Sequence, residues 1–226
     1  MAKRKLQRFA EIDTFTNVLQ PTYKELLDGL PIKGRWNKDF FQNDNPIVLE
    51  LGCGKGEYAI GLGKEYPNVN YIGIDYKGSR LWLGAKIANV DGLNNIAFIR
   101  SRVDQVEHCF GSNEVDEIWI TFPDPQEQDS RMRKRLTHPL FLDRYSKILK
   151  KGGSLNLKTD NDIFFEYSLE ILRTLNHNIV FYTRDLYNES VNDKVDLDKI
   201  RGIKTYYENK FLQENKTIKY LVAKLN

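Results

Sequence analysis

Three glycines at alternate positions, Gly52, Gly54 and Gly56, follow directly on the apolar run Val48, Leu49, Glu50, Leu51. A strand that runs into such a loop and then into a helix is the usual cradle for a nucleotide-like ligand. A dinucleotide site would place its third glycine three positions after the second, close to a pyrophosphate. Here that position, 57, is Glu, and Glu50 stands two residues before the first glycine. Two carboxylates at the loop select against phosphate and for a cation. S-adenosylmethionine meets that demand, because it carries an ammonium and a sulfonium, has no phosphate, and needs bare backbone beside its methionine part. Asp75 ends the next apolar run, where a carboxylate can accept both ribose hydroxyls. The alternatives are a nicotinamide cofactor, or an ordinary strand-to-helix turn with Asp75 as a helix cap.

The second constellation is Thr121, Phe122, Pro123, Asp124, Pro125, Gln126. Ligands of open α/β sheets bind beyond the carboxyl ends of the strands, so this stretch should face the transferable group. Two prolines fix the backbone on either side of Asp124. Between 131 and 151 there are eight cations, Arg131, Arg133, Lys134, Arg135, Arg144, Lys147, Lys150 and Lys151, against the single anion Asp143. Together with Lys3, Arg4, Lys5 and Arg8 at the amino terminus, they suit a polyanion that releases counterions on binding. A solvated helix face and a frayed terminus are the plainer reading. Thr205 and Glu208 have the spacing of a capping box. Asp104 could cap the short turn after it and Asp160 the helix after it, and His108, His138 and His177 have no relay partner.

The elements that must position these groups alternate. Strands are expected at 47–51, 71–74, 96–99, 117–121, 154–157, 179–182 and 217–222. Helices are expected at 57–64, 79–89, 139–149, 163–175 and 206–213, with a short turn at 103–109. Such alternation argues for a mostly parallel sheet with helices on both faces. About 20 polar residues after the sixth of these strands suggest a functional insertion. Residues 1–45 read as a basic arm and a helix, and 46–226 as one catalytic domain.

Composition sets the outer bounds. The chain has 226 residues, 41% of them hydrophobic, and a net charge of +3, which fits a single globular core. Its longest apolar runs fall far short of the roughly 20 residues of a membrane span, and no apolar block follows the basic start as a signal peptide requires. A cytoplasmic protein without membrane attachment is expected. Cys53 and Cys109 are the two cysteines, too few for a disulfide framework and too isolated for a metal site. They read as reduced thiols, and no metal is expected.

The stretches 49–56, 72–75, 122–125 with Arg133, Lys134, Arg135 and Leu136, then Gly152 and Gly153 leading to Thr159 and Asp160, and finally 205–208, resemble the bacterial tRNA (guanine-N7)-methyltransferases. Pro-Asp-Pro with its trailing basic run is the most specific of these. The resemblance implies a class I S-adenosylmethionine-dependent methyltransferase: a Rossmann-like, mostly parallel seven-stranded sheet that methylates guanine N7 in the variable loop of tRNA, and the sequence leaves monomer and homodimer both open. It implies that Glu50, Gly52, Gly54, Asp75, Asp104 and Asp124 contact the cofactor, with Asp124 also catalytic. Asp160, Thr205, Tyr206, Tyr207 and Glu208 would contact the substrate, with Arg131 and Arg133 along the RNA path. The chain departs from the family pattern at Gln126 and Gln128, where members commonly carry Trp and Lys.

Overall fold

The computed structural model describes residues 2–190 and 193–226, and of residues 2–5 the backbone alone. The expected role of the Lys3, Arg4 and Lys5 side chains therefore lies outside the described residues. In chain order the elements are α1 (Ala2–Ile12), β1 (Val18–Leu19), α2 (Tyr23–Asp28), a π-helical turn (Trp36–Phe41), β2 (Ile47–Leu51), α3 (Glu57–Glu65), β3 (Asn70–Ile74), α4 (Gly78–Val90), β4 (Ile96–Ile99), α5 (Val106–Cys109) and β5 (Val115–Thr121). A 3-10 turn (Asp129–Lys134) leads to α6 (Pro139–Ile148), β6 (Leu149–Thr159), α7 (Asp162–Thr174), β7 (Asn178–Thr183), α8 (Leu197–Gly202), α9 (Tyr206–Gln213) and β8 (Lys219–Lys224). Among the described residues no helix is long and apolar enough to cross a membrane.

The sheet runs β1-β4-β3-β2-β5-β6-β8-β7, parallel from β1 to β6 and antiparallel at β8 and β7. It has eight strands where seven are expected from the sequence. The extra one is β1, whose two residues pair with Phe98 and Ile99 of β4, too short a run to carry a periodic signal. The period-2 pattern sorts the core into two layers. Leu49, Leu51, Ile72, Ile74, Ile118 and Ile120 face one layer, with α6 and α7. Val48, Tyr71, Phe98, Trp119, Tyr220 and Val222 face the other, with α3, α4 and α8. Glu50 and Lys158 occupy strand positions that face this second layer, and both are buried there.

The amino-terminal segment packs on the body of the fold. Glu11 accepts hydrogen bonds from Trp82 Nε1 (2.8 Å) and Lys86 Nζ (2.7 Å) on α4, and the Arg8 guanidinium lies 4.5 Å from the centre of the Trp82 ring. Cys53 and Cys109 are buried free thiols.

Candidate active site

The carboxyl ends of β2, β3, β4 and β5 and the start of α9 enclose a cleft of about 530 Å³. One side of it is built on Glu50, which is 4% exposed. One carboxylate oxygen accepts the Thr121 hydroxyl at 2.7 Å and the other the Ala59 N–H at 3.2 Å. Burial pushes this carboxyl up to about 7, against the pull of those two hydrogen bonds and with the help of the neighbouring Glu57 and Asp75. A cation placed beside it would restore its charge. Asp75 is held by two backbone amides, Gly54 N–H at 3.0 Å and Lys77 N–H at 2.7 Å, and each oxygen keeps acceptor capacity for a hydroxyl.

The glycines divide their work. Gly54 has φ +57°, and a Cβ added there meets no protein atom within 4 Å: the backbone is bare toward the cleft. Gly56 has φ +70°, and its Cβ would stand 2.6 Å from the Phe98 ring, so this glycine serves the packing of α3 on the sheet. Buried acid, anchored Asp75 and bare loop together fit S-adenosylmethionine.

On the acceptor side Asp124 is exposed, and one of its oxygens accepts the Gln126 N–H at 3.2 Å. The loop around it is strained, since Phe122 (φ +47°) and Gln126 (φ +49°) are both left-handed without being glycine, at about 1 kcal/mol or more each. Such strain persists where surrounding contacts over-determine it. Phe122 N–H donates to the Lys158 carbonyl at 2.9 Å. Arg135 donates to the carbonyls of Gln126 and Glu127, both at 3.1 Å, with its guanidinium 4.4 Å from the Tyr167 ring centre. Arg135 is 3% exposed; the sequence pattern puts it on the RNA path, but it braces the loop from within.

Thr205, Tyr206 and Tyr207 form the facing wall. The Thr205 hydroxyl accepts the Glu208 N–H at 3.2 Å, capping α9. The Tyr206 N–H is taken not by Thr205 but by Glu57 at 2.7 Å, and Lys55 Nζ lies 4.9 Å from the Tyr206 ring centre. The residue after the glycine loop thus holds the start of α9. Tyr206 and Tyr207 are 57% and 47% exposed, and Tyr207 continues into a row with Phe211 and Phe122.

The other residues implied by the resemblance lie off the cleft. Asp104 turns to Arg102, which donates to both its oxygens (3.0 and 2.6 Å) and holds its carboxyl below the usual range; its neighbour Val103 lines the cleft instead. Asp160 pairs with Lys216 at 2.9 Å. Glu208 is fully buried and pairs with Lys158 at 2.6 Å, so only the Thr205 half of the expected capping box forms. Arg131 and Arg133 are exposed on the 3-10 turn, and neither has a carboxylate partner among the described residues. Lys55, Lys77, Arg80 and Lys134 also line the cleft. Lys134 belongs to the basic run that the sequence pattern marks; Lys55, Lys77 and Arg80 carry no such mark, because isolated lysines and arginines in a loop or at a helix start look like solvated surface.

A family model described as "Putative methyltransferase" matches residues 44–221. The tRNA (guanine-N(7)-)-methyltransferase of Christiangramia forsetii is 47% identical over 99% of both chains. That of Bacteroides fragilis is 42% identical over 98% of this chain and 85% of its own length. Among solved structures, the 16S rRNA methyltransferase KamB superposes with a TM-score of 0.62 at 13% identity, covering 84% of this chain and 92% of its own, a likeness of fold. With an acidic glycine loop, a proline-clamped Asp124 and near full-length relatives, the chain belongs to the tRNA (guanine-N(7)-)-methyltransferase family.

Proposed function

We propose that this enzyme transfers the methyl group of S-adenosylmethionine to N7 of a guanine in the variable loop of tRNA, in the cytoplasm. One observation carries the reading: the cofactor carboxylates Glu50 and Asp75, the proline-clamped Asp124 and the tyrosine wall of α9 all open into one cleft. S-adenosylmethionine, when bound, supplies an electrophilic methyl on a sulfonium. Glu50 would hold its ammonium and Asp75 its ribose, with Gly52 and Gly54 offering the bare backbone between them. Near full-length similarity to proteins named for guanine N7 of tRNA supports the choice of acceptor.

Guanine N7 carries a lone pair and no proton, so no base need act before attack, and the chain's task is to orient the ring and stabilise the charge that develops on it. Asp124 is the exposed carboxylate fixed at the carboxyl end of β5, and it offsets the imidazolium charge. Tyr206 and Tyr207 give an unstacked base a face to lie against. Arg131, Arg133 and Lys134 meet phosphates rather than bases. Incubating the chain with labelled S-adenosylmethionine and tRNA should yield 7-methylguanosine in nuclease digests. Label at another atom, or none, would overturn the reading.

A further inference from the structure

Lys158 and Glu208 are an ion pair with both side chains wholly buried, 2.6 Å apart. Burial of this kind is costly, and removing either partner leaves the other charge uncompensated in the interior. The ammonium of Lys158 also donates to the carbonyls of Ile200 (3.0 Å) and Ile203 (3.4 Å), at the end of α8. The Tyr58 ring of α3 covers it at 5.4 Å. Glu208 in turn accepts the Tyr187 hydroxyl at 2.9 Å. One ammonium therefore joins β6 to the end of α8, to the first turn of α9 and to the helix that leaves the cofactor loop. The backbone of the same residue works on the opposite side of the cleft, where its carbonyl takes the N–H of strained Phe122.

We propose that Lys158 is a positioning residue for the acceptor. Through Glu208 and the carbonyls of Ile200 and Ile203 it sets where Thr205, Tyr206 and Tyr207 stand against Asp124, without touching the substrate. This rests on the reading of the cleft as a tRNA site, and it assigns to the interior of the sheet a part of the substrate geometry. The cofactor carboxylates Glu50 and Asp75 have their own anchors, Thr121, Ala59, Gly54 and Lys77, so the effect of Lys158 falls on the acceptor and not on the methyl donor.

The test is a double-mutant cycle on Lys158→Met and Glu208→Gln, with Lys158→Arg as the conservative variant. Lys158→Met should lower kcat/KM for tRNA about tenfold or more while the calorimetric Kd for S-adenosylmethionine stays within about twofold, and Lys158→Arg should recover part of the loss. The double variant, which leaves no uncompensated charge, should lose no more than the worse single variant, because the two residues act as one unit. Backbone amides of α9 should exchange faster with solvent in Lys158→Met while those of β2 and β5 do not. A lowered melting temperature with unchanged kcat/KM for tRNA, losses that simply add, or an equal loss of cofactor affinity would each overturn the proposal. Should Lys158→Met not fold, the double variant carries the exchange comparison: protected α9 amides there would overturn it too. If the wild-type chain makes no 7-methylguanosine, the functional reading fails while the exchange measurement still decides whether Lys158 anchors the wall.

Discussion

Two carboxylates in the cleft act from opposite surroundings, one exposed and one buried, and each makes a prediction. Asp124 stands in solvent, fixed by prolines and by the Gln126 amide. Asp124→Asn keeps the shape and removes the charge, so single-turnover methylation should fall by roughly 10², with tRNA binding nearly unchanged. Because N7 has no proton to lose, raising the pH should not rescue the variant. Glu50 is buried, with its carboxyl pushed up to about 7 from 4.5. Between those values the folded state holds a proton that the unfolded chain releases, so its contribution to stability is lost as pH rises through the folded value. Glu50→Gln should therefore melt higher than the parent at pH 8, by at most about 3 kcal/mol in stability, with the gap closing below pH 5. With Glu50 holding the donor's ammonium as proposed, binding takes the ionised form, so cofactor affinity in the parent should rise from pH 6 to pH 8 and lose that dependence in Glu50→Gln, as calorimetry would read. Both residues are legible in the sequence because a local motif frames each of them. Lys158 is not: its partners Ile200, Ile203 and Glu208 are distant in the chain, and a lysine in a strand run ordinarily points to water. Its strand position, two after Asn156 on the face opposite Leu155 and Leu157, is the one local sign that it turns inward.

At the level of elements, the glycine loop separates ligand from packing. Gly54→Ala adds a Cβ that meets no protein atom, so it should cost about 1 kcal/mol of stability for its left-handed backbone and proportionally more in cofactor affinity. Gly56→Ala drives a Cβ into the Phe98 ring and carries the same backbone cost, so it should lower the melting temperature sharply. Denaturation curves with and without cofactor distinguish the two. Helix α9 answers to Glu57 as well as to Lys158. Glu57→Ala frees the Tyr206 N–H, at about 1 kcal/mol for a missing cap, and KM for tRNA should rise. Capping-box spacing marks the start of α9 in the sequence, but there the box is half formed, because Glu208 turns inward to Lys158, while the Tyr206 N–H is taken by Glu57. Strands β2 to β5 read clearly because each is a short apolar run bounded by turn residues. Helix α8 and the π-helical turn do not, being single turns whose stability comes from tertiary packing.

Over the whole molecule, charge is distributed differently from what the linear pattern implies. Of the eight cations between 131 and 151, Arg135 is buried, and Arg144 and Lys147 pair with Glu107. Lys150 pairs with Asp116, and Lys151 lies near the amino end of β6, away from the cleft. Those that remain, without a carboxylate partner among the described residues and so the ones proposed to meet RNA, are Arg131, Arg133 and Lys134, and Lys77 and Arg80 also line the cleft. Replacing Arg131, Arg133 and Lys134 with Gln should reduce the salt dependence of tRNA binding by about 0.7 to 0.9 in log-log slope for each phosphate the protein ceases to neutralise. The same change at Lys147 and Lys150 should leave the slope nearly unaltered. Strands β7 and β8 are hydrogen-bonded neighbours, with Thr183 opposite Tyr220, and the tyrosine wall of α9 lies on an excursion of the chain between those two residues. An excursion that leaves and returns at one point of a sheet can be exchanged as a cassette, with little disturbance to the order of the strands. Any replacement must bring an acid to meet Lys158, a free amide to meet Glu57, and apolar side chains where Leu186, Leu197, Ile200 and Ile218 fill the second core layer.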